Sequence, residues 1–143
     1  MRLVPAFTTK AWERFRGRSR RGSSFEAVRP HFLLLALDSV GEAVFAVDRA
    51  GRVIYFNARF EELLGAPEAG APLDAWLRDH GVSREGDSAA ARALRGQAKA
   101  EAQAVLSTPR APKGVLLRET ARPVLAPNGL VLGAVTVIRA ELL

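Results

Sequence analysis

Hydrophobic positions along this chain switch between runs suited to strands and spacings suited to helices, and each switch marks an element. Ala43-Val44-Phe45-Ala46-Val47 and Val53-Ile54-Tyr55-Phe56 are runs of β-branched and aromatic residues too short for buried helices, so they predict two strands. Between them Asp48-Arg49-Ala50-Gly51 supplies an Asx-type turn opener and a glycine able to take positive φ, which is the chemistry of a short hairpin loop with a bulge. Asn57 then stands as an N-cap, Glu61 and Glu62 lie near the helix start, Phe60, Leu63 and Leu64 share its inner face, and Gly65 closes it. After Pro72, the i, i+3, i+4 spacing of Leu73, Trp76 and Leu77 predicts a second short helix, with His80 before Gly81 as its C-terminal turn. Asp87 or Ser88 caps a third over Ala89–Arg95, which Gly96 ends; its alanines favour helix and offer little bulk.

Three β-prone stretches follow, Lys99–Ser107, Gly114–Leu125 and Leu130–Arg139, separated by the loop TPRAPK and the turn Ala126-Pro127-Asn128-Gly129. In the last of them neither parity of Val131–Ile138 carries charge, which predicts a central strand covered on both faces. Pro123 implies a missing ladder bond or a bulge near the end of its strand. Upstream, Pro30 opens the dense apolar run PHFLLLALDSV, read as a helix over Pro30–Val40. Residues 1–29 mix isolated aromatics with arginines and Gly-Ser punctuation, a composition that cannot build a core, and are read as a tail.

The hairpin with D-R-A-G at its turn, the helix entry YFNARFEELLG and the later RPVLAPNGLVLGAVTVIR together resemble a PAS domain, over roughly Val40 to Arg139. The resemblance implies an α+β fold: a PAS-like five-stranded antiparallel sheet in the spatial order 2-1-5-4-3, short helices across one face, and the Pro30–Val40 helix flanking a domain of residues 30–143. It also implies a ligand space between sheet and helices. The residues proposed to line it are Phe45, Ile54, Phe56, Leu64, Trp76, Leu77, Leu94, Leu106, Leu117, Val135 and Val137, all apolar. A filled core is the competing reading of the same residues. Many sensor PAS domains carry an Asp-Ile-Thr element leading into a signalling helix, whereas this sequence ends on Arg139-Ala140-Glu141-Leu142-Leu143. If the chain is complete, a signal passes through a partner or a change of oligomeric state.

Composition changes this picture in two places. There is no cysteine, which excludes disulfides, thiolate metal sites, a cysteine nucleophile and the flavin-cysteinyl photochemistry that some PAS domains perform, and which fits a cytoplasmic compartment. The charge is uneven: residues 1–29 hold eight Lys/Arg against Glu13 and Glu26, while the remainder is balanced. Lys10, Arg14, Arg16, Arg18, Arg20 and Arg21 are therefore candidates for weak, salt-sensitive contact with a polyanion, nucleic acid or anionic membrane. Ser19-Arg20-Arg21 has the outline of a twin-arginine export signal, but Ser23 stands where an apolar residue belongs and Asp38 interrupts the apolar run. That run is also far short of the ~20 residues a membrane span needs, so neither export nor a transmembrane helix is expected.

No catalytic motif stands at recognisable spacing: H-E-x-x-H, G-x-S-x-G and the phosphate-binding G-x-x-x-x-G-K-[ST] are all missing. Glu61-Glu62 is a solvated helix face, since adjacent residues point apart on a helix. His31 and His80 are read as surface or helix-end residues rather than haem ligands, and no metal, haem or flavin is expected. The leading expectation is a non-catalytic regulatory PAS module of a bacterial-type signalling system, contacting another signalling protein and sensing a small ligand. The rival is a targeting adaptor docked through the basic tail. Phe32, Leu33, Leu34, Leu35 and Leu37 spread around the whole circumference of their helix, more than one sheet face can hide, so they are candidates for a homodimer interface.

Overall fold

A computed structural model describes residues 41–109 and 111–142; the expected tail and the Pro30–Val40 helix lie outside the described residues. The element order is β1 (Ala43–Asp48), β2 (Val53–Phe56), α1 (Ala58–Leu64), α2 (Leu73–Asp79), β3 (Val82–Ser83), α3 (Ala89–Leu94), β4 (Ala100–Thr108), β5 (Ala111–Leu125) and β6 (Val131–Leu142). All strands join one antiparallel sheet in the order β2-β1-β6-β5-β4-β3.

The expected sheet had five strands, and the sixth is a correction. Val82–Ser83 pairs Val82 with Leu106 and Ser83 with Val105, adding an outermost strand beside β4. Two residues are too few to show a period-2 signal, so this strand exists because the β4 edge offers unpaired backbone groups. With it set aside, the observed order is the expected one. The loop expected before Gly114 is also shorter, because β5 already begins at Ala111, opposite Thr108.

Local chemistry explains the hairpin and the caps. Asp48 Oδ1 accepts from Ala50 N at 2.9 Å and Arg52 N at 3.0 Å, Gly51 takes φ +78°, and the register shifts between Ala46 and Val47. Ser88 caps α3 by accepting from Ala91 N, and Gly65 ends α1 at φ +105°. Near Pro123 the irregularity falls two residues on, between Val124 and Leu125, while Pro123 itself pairs with Ala134.

Strand alternation sorts the sheet into two faces. The helices cover one face, where Ala43, Phe45 and Val47 of β1 stand opposite Ile138, Thr136 and Ala134 of β6. The same face continues through Leu117, Glu119 and Ala121 of β5 to Ala100, Ala104 and Leu106 of β4, all buried. β6 is central, as expected, between β1 and β5. At Gly133 it approaches β1 so closely that a Cβ would overlap the Val47 carbonyl oxygen. On the opposite face Val44, Ala46, Tyr55, Val135 and Val137 make an apolar strip across β2, β1 and β6, with Val44 and Tyr55 each 2% exposed.

Candidate functional site

Between helices and sheet the apolar side chains form one buried cluster. Phe45, Phe56, Leu64, Leu77, Leu106 and Leu117 are buried together there, and Trp76 and Leu94 pack half-buried against them. Phe60 centres an aromatic cluster: its ring lies 5.6 Å from Phe45, edge-on, 5.5 Å from Phe56 and 6.2 Å from Trp76. Trp76 in turn stacks on His80 at 3.9 Å, and a ring nitrogen of His80 lies 2.8 Å from the Trp76 carbonyl oxygen. His80 is thus an exposed helix-end residue committed to its own helix. Three proposed lining residues sit elsewhere. Val135 and Val137 belong to the opposite face, where alternation places them against Ala46 and Val44, and Ile54 stands half-buried at the register shift of β2. The proposed dimer residues Phe32–Leu37 and the basic residues Lys10–Arg21 lie outside the described residues.

Beneath α3 the layer is built from small side chains. Ala89 and Ala93 of the helix, with Ala100, Ala104 and Ala121 of the strands, are all 3% exposed or less, and Thr136 beside Ala121 is fully buried. The Thr136 Oγ1 has no hydrogen-bond partner among the described residues. Methyl groups alone interlock weakly, so polar contacts fasten this part of the helical layer. Ser88 Oγ donates to Asp74 Oδ2 at 2.8 Å, which joins the start of α3 to α2.

The strongest of these contacts is an ion pair absent from the sequence reading. Arg84, just after β3, reaches into the core, where its Nη1 donates to Glu119 Oε1 and its Nη2 donates to Oε2 at 2.9 Å. The Glu119 side chain is 1% exposed and that of Arg84 is 14%. Ala89 N, at the start of α3, also donates to Glu119 Oε1, at 3.4 Å. Burial opposes the charged form of Arg84, but the hydrogen bond and charge of Glu119, with the charge of Asp74 behind them, outweigh it and hold the guanidinium above its ordinary value. Clefts open on both sides of Arg84. One, of about 620 Å³, is rimmed by Asp74, Arg78, Asp87 and Ser88; the other, of about 520 Å³, by Glu85, Gln103 and Leu116.

One signal for Glu119 was available in the sequence. It shares the inward parity of Leu117 and Ala121, so a carboxylate there demands a buried partner. Nothing in the spacing pointed to Arg84, 35 residues earlier. Among the described residues no group of three or more His, Asp or Glu is placed to hold a metal ion, and no helix is long and apolar enough to cross a membrane.

A family model described as the PAS fold matches residues 37–140. No curated protein matches. Similar solved structures include the PAS domain of a protein from Colwellia psychrerythraea, 21% identical with a TM-score of 0.57, covering 80% of this chain and 98% of that one. The PAS domain of nitrogen regulation protein NR(II) from Vibrio parahaemolyticus is 16% identical with a TM-score of 0.52, covering 75% and 95% respectively. VqmA bound to DPO is 11% identical with a TM-score of 0.55, and the match spans 76% of this chain and 56% of that one. At these identities the likeness is one of fold.

Proposed function

This chain belongs to the PAS family, and from that premise we propose that it is a non-catalytic regulatory module that works by protein–protein contact and small-ligand sensing, as a homodimer. The observation that carries the reading is the apolar strip on the sheet face that no helix among the described residues covers. A one-sided antiparallel sheet ordinarily alternates apolar-in and polar-out, yet Val44, Ala46, Tyr55, Val135 and Val137 break that rule on three adjacent strands. Beside them runs a groove of about 550 Å³ lined by Glu42, Glu101, Gln103, Arg118, Val137 and Arg139. Ion pairs edge it, Arg139 to Glu42 at 2.7 Å and Arg118 to Glu141 at 3.2 Å. Val44 and Tyr55 are buried and Ala46, Val135 and Val137 half-buried, so the strip is a covered apolar layer whose charged rim has the composition of a protein contact surface.

Phe32, Leu33, Leu34, Leu35 and Leu37 precede β1 closely in the sequence, and they are the residues proposed to meet this face in the dimer. A helix apolar around its circumference has one side for the sheet and another for the second copy. Light scattering on the full chain tests the reading. A dimer that Leu34→Asp or Leu35→Asp converts to monomer supports it; a monomer at high micromolar concentration, or a dimer indifferent to both substitutions tested separately, removes this helix from the interface.

A further inference from the structure

We propose that Glu119 anchors a binding site for a small planar cation of the guanidinium or amidinium class, and that Arg84 occupies this site in the unliganded protein. The inference rests on the sensing part of the function proposed above. It starts from an asymmetry between the partners. Glu119 projects from the middle of β5 and is almost wholly enclosed, whereas Arg84 arrives from a short strap between α2 and α3 and keeps part of its side chain at the mouth of two clefts. The strap runs between Gly81 at φ +92° and Gly86 at φ +78°, and β3 fixes it to the sheet by two residues.

Stability alone does not account for such a pair, because a buried ion pair contributes about as much as a well-packed apolar pair of similar volume. Exchange is possible in one direction only. A ligand anion that took Arg84 would leave the Glu119 carboxylate buried and unpaired, a costly state. A ligand cation that took Glu119 would leave Arg84 beside an open cleft whose rim carries Asp74, which accepts from Ser88 through Oδ2, and Asp87, which pairs with Arg95 through Oδ2; the second oxygen of each carboxylate remains for the exchange. Asp74 already acts on Arg84 through its charge. Both Glu119 oxygens are engaged by the fork of Arg84, Nη1 with Oε1 and Nη2 with Oε2, and that geometry selects a planar two-pronged donor over a point-like ammonium. Ala89 N also donates to Oε1, so the same exchange bears on the start of α3.

The experiment uses the full chain with methylguanidinium and agmatine as probes, and tetramethylammonium chloride as the ionic-strength control. In Arg84→Ala the fork is removed and the site vacated. Either probe at about ten times its Kd shifts the folding constant about tenfold, a rise in Tm of roughly 5–10 °C for a domain of this size, and the same addition leaves Arg84→Ala/Glu119→Gln unmoved. No rise with either probe at a concentration on the order of 10 mM, or an equal rise in the double variant, overturns the proposal. Should Arg84→Ala fail to fold, the wild-type protein decides: saturating agmatine speeds amide hydrogen exchange across Arg84–Ala89, and unchanged exchange there refutes the displacement. Light scattering on the same samples reports separately on the dimer, so one reading can fail while the other stands.

Discussion

Replacing Asn57 with alanine removes three hydrogen bonds that one carboxamide makes across two elements. Asn57 is fully buried. Its Oδ1 accepts from Phe60 N at 3.0 Å, capping α1, and from Val44 N at 2.9 Å, in β1; its Nδ2 donates to the Glu42 carbonyl oxygen at 2.9 Å. Its backbone N–H also donates to the Val44 carbonyl oxygen at 3.0 Å, so the side chain completes a splice of helix to strand. Losing the cap costs about 1 kcal/mol. Orphaning the buried Val44 N–H adds about 1–3 kcal/mol, and the partly buried Glu42 carbonyl about 0.5 kcal/mol. The expected loss for Asn57→Ala is therefore about 3 kcal/mol, or a fall in Tm of roughly 12–24 °C for a domain of this size. Asn57→Ser retains an oxygen short enough to cap Phe60 N but not to reach Val44 N, so it regains only the cap and loses about 2 kcal/mol. Urea unfolding followed by circular dichroism measures both, with hydrogen exchange at the Val44 amide as the local readout. A loss below about 1 kcal/mol for either variant would refute the claim that the link to β1 carries most of the energy.

Gly133→Ala forces a methyl group onto the Val47 carbonyl oxygen, a backbone atom held in the β1–β6 ladder, and is expected to destabilise by about 2–3 kcal/mol in the same assay. A neutral result would mean that the two central strands pack more loosely than described. Phe60→Ala, at 0% exposure in the middle of the aromatic cluster, is expected to cost about 3–5 kcal/mol, and half-buried Leu94→Ala less than about 2 kcal/mol. The reverse ranking would place the packed centre under α3 rather than around Phe60.

The elements were legible because their signals are local. A turn opened by Asp48 and closed by Gly51, a cap at Asn57 and a cap at Ser88 depend on residues within four positions of one another, and backbone sterics decide them wherever the segment sits. The uncharged parities of Val131–Ile138 likewise announced a central strand. The resemblance supplied the strand order, which no local signal carries. Three things belonged to the tertiary structure alone. Val135 and Val137 were grouped with the ligand space by hydrophobicity, but in a strand successive side chains face opposite ways, and only pairing with β1 decides which parity meets the helices. Val82–Ser83 is a strand because the β4 edge lies beside it. Asn57 reads as a cap for its own helix, and only the approach of β1 gives its carboxamide a second element to hold. The Arg84–Glu119 pair is the clearest case: a carboxylate on the inward parity of β5 signals that a partner exists, but which of thirteen Lys and Arg residues beyond position 29 supplies it is decided by how the strap crosses the sheet, a property of the folded chain and of no segment within it.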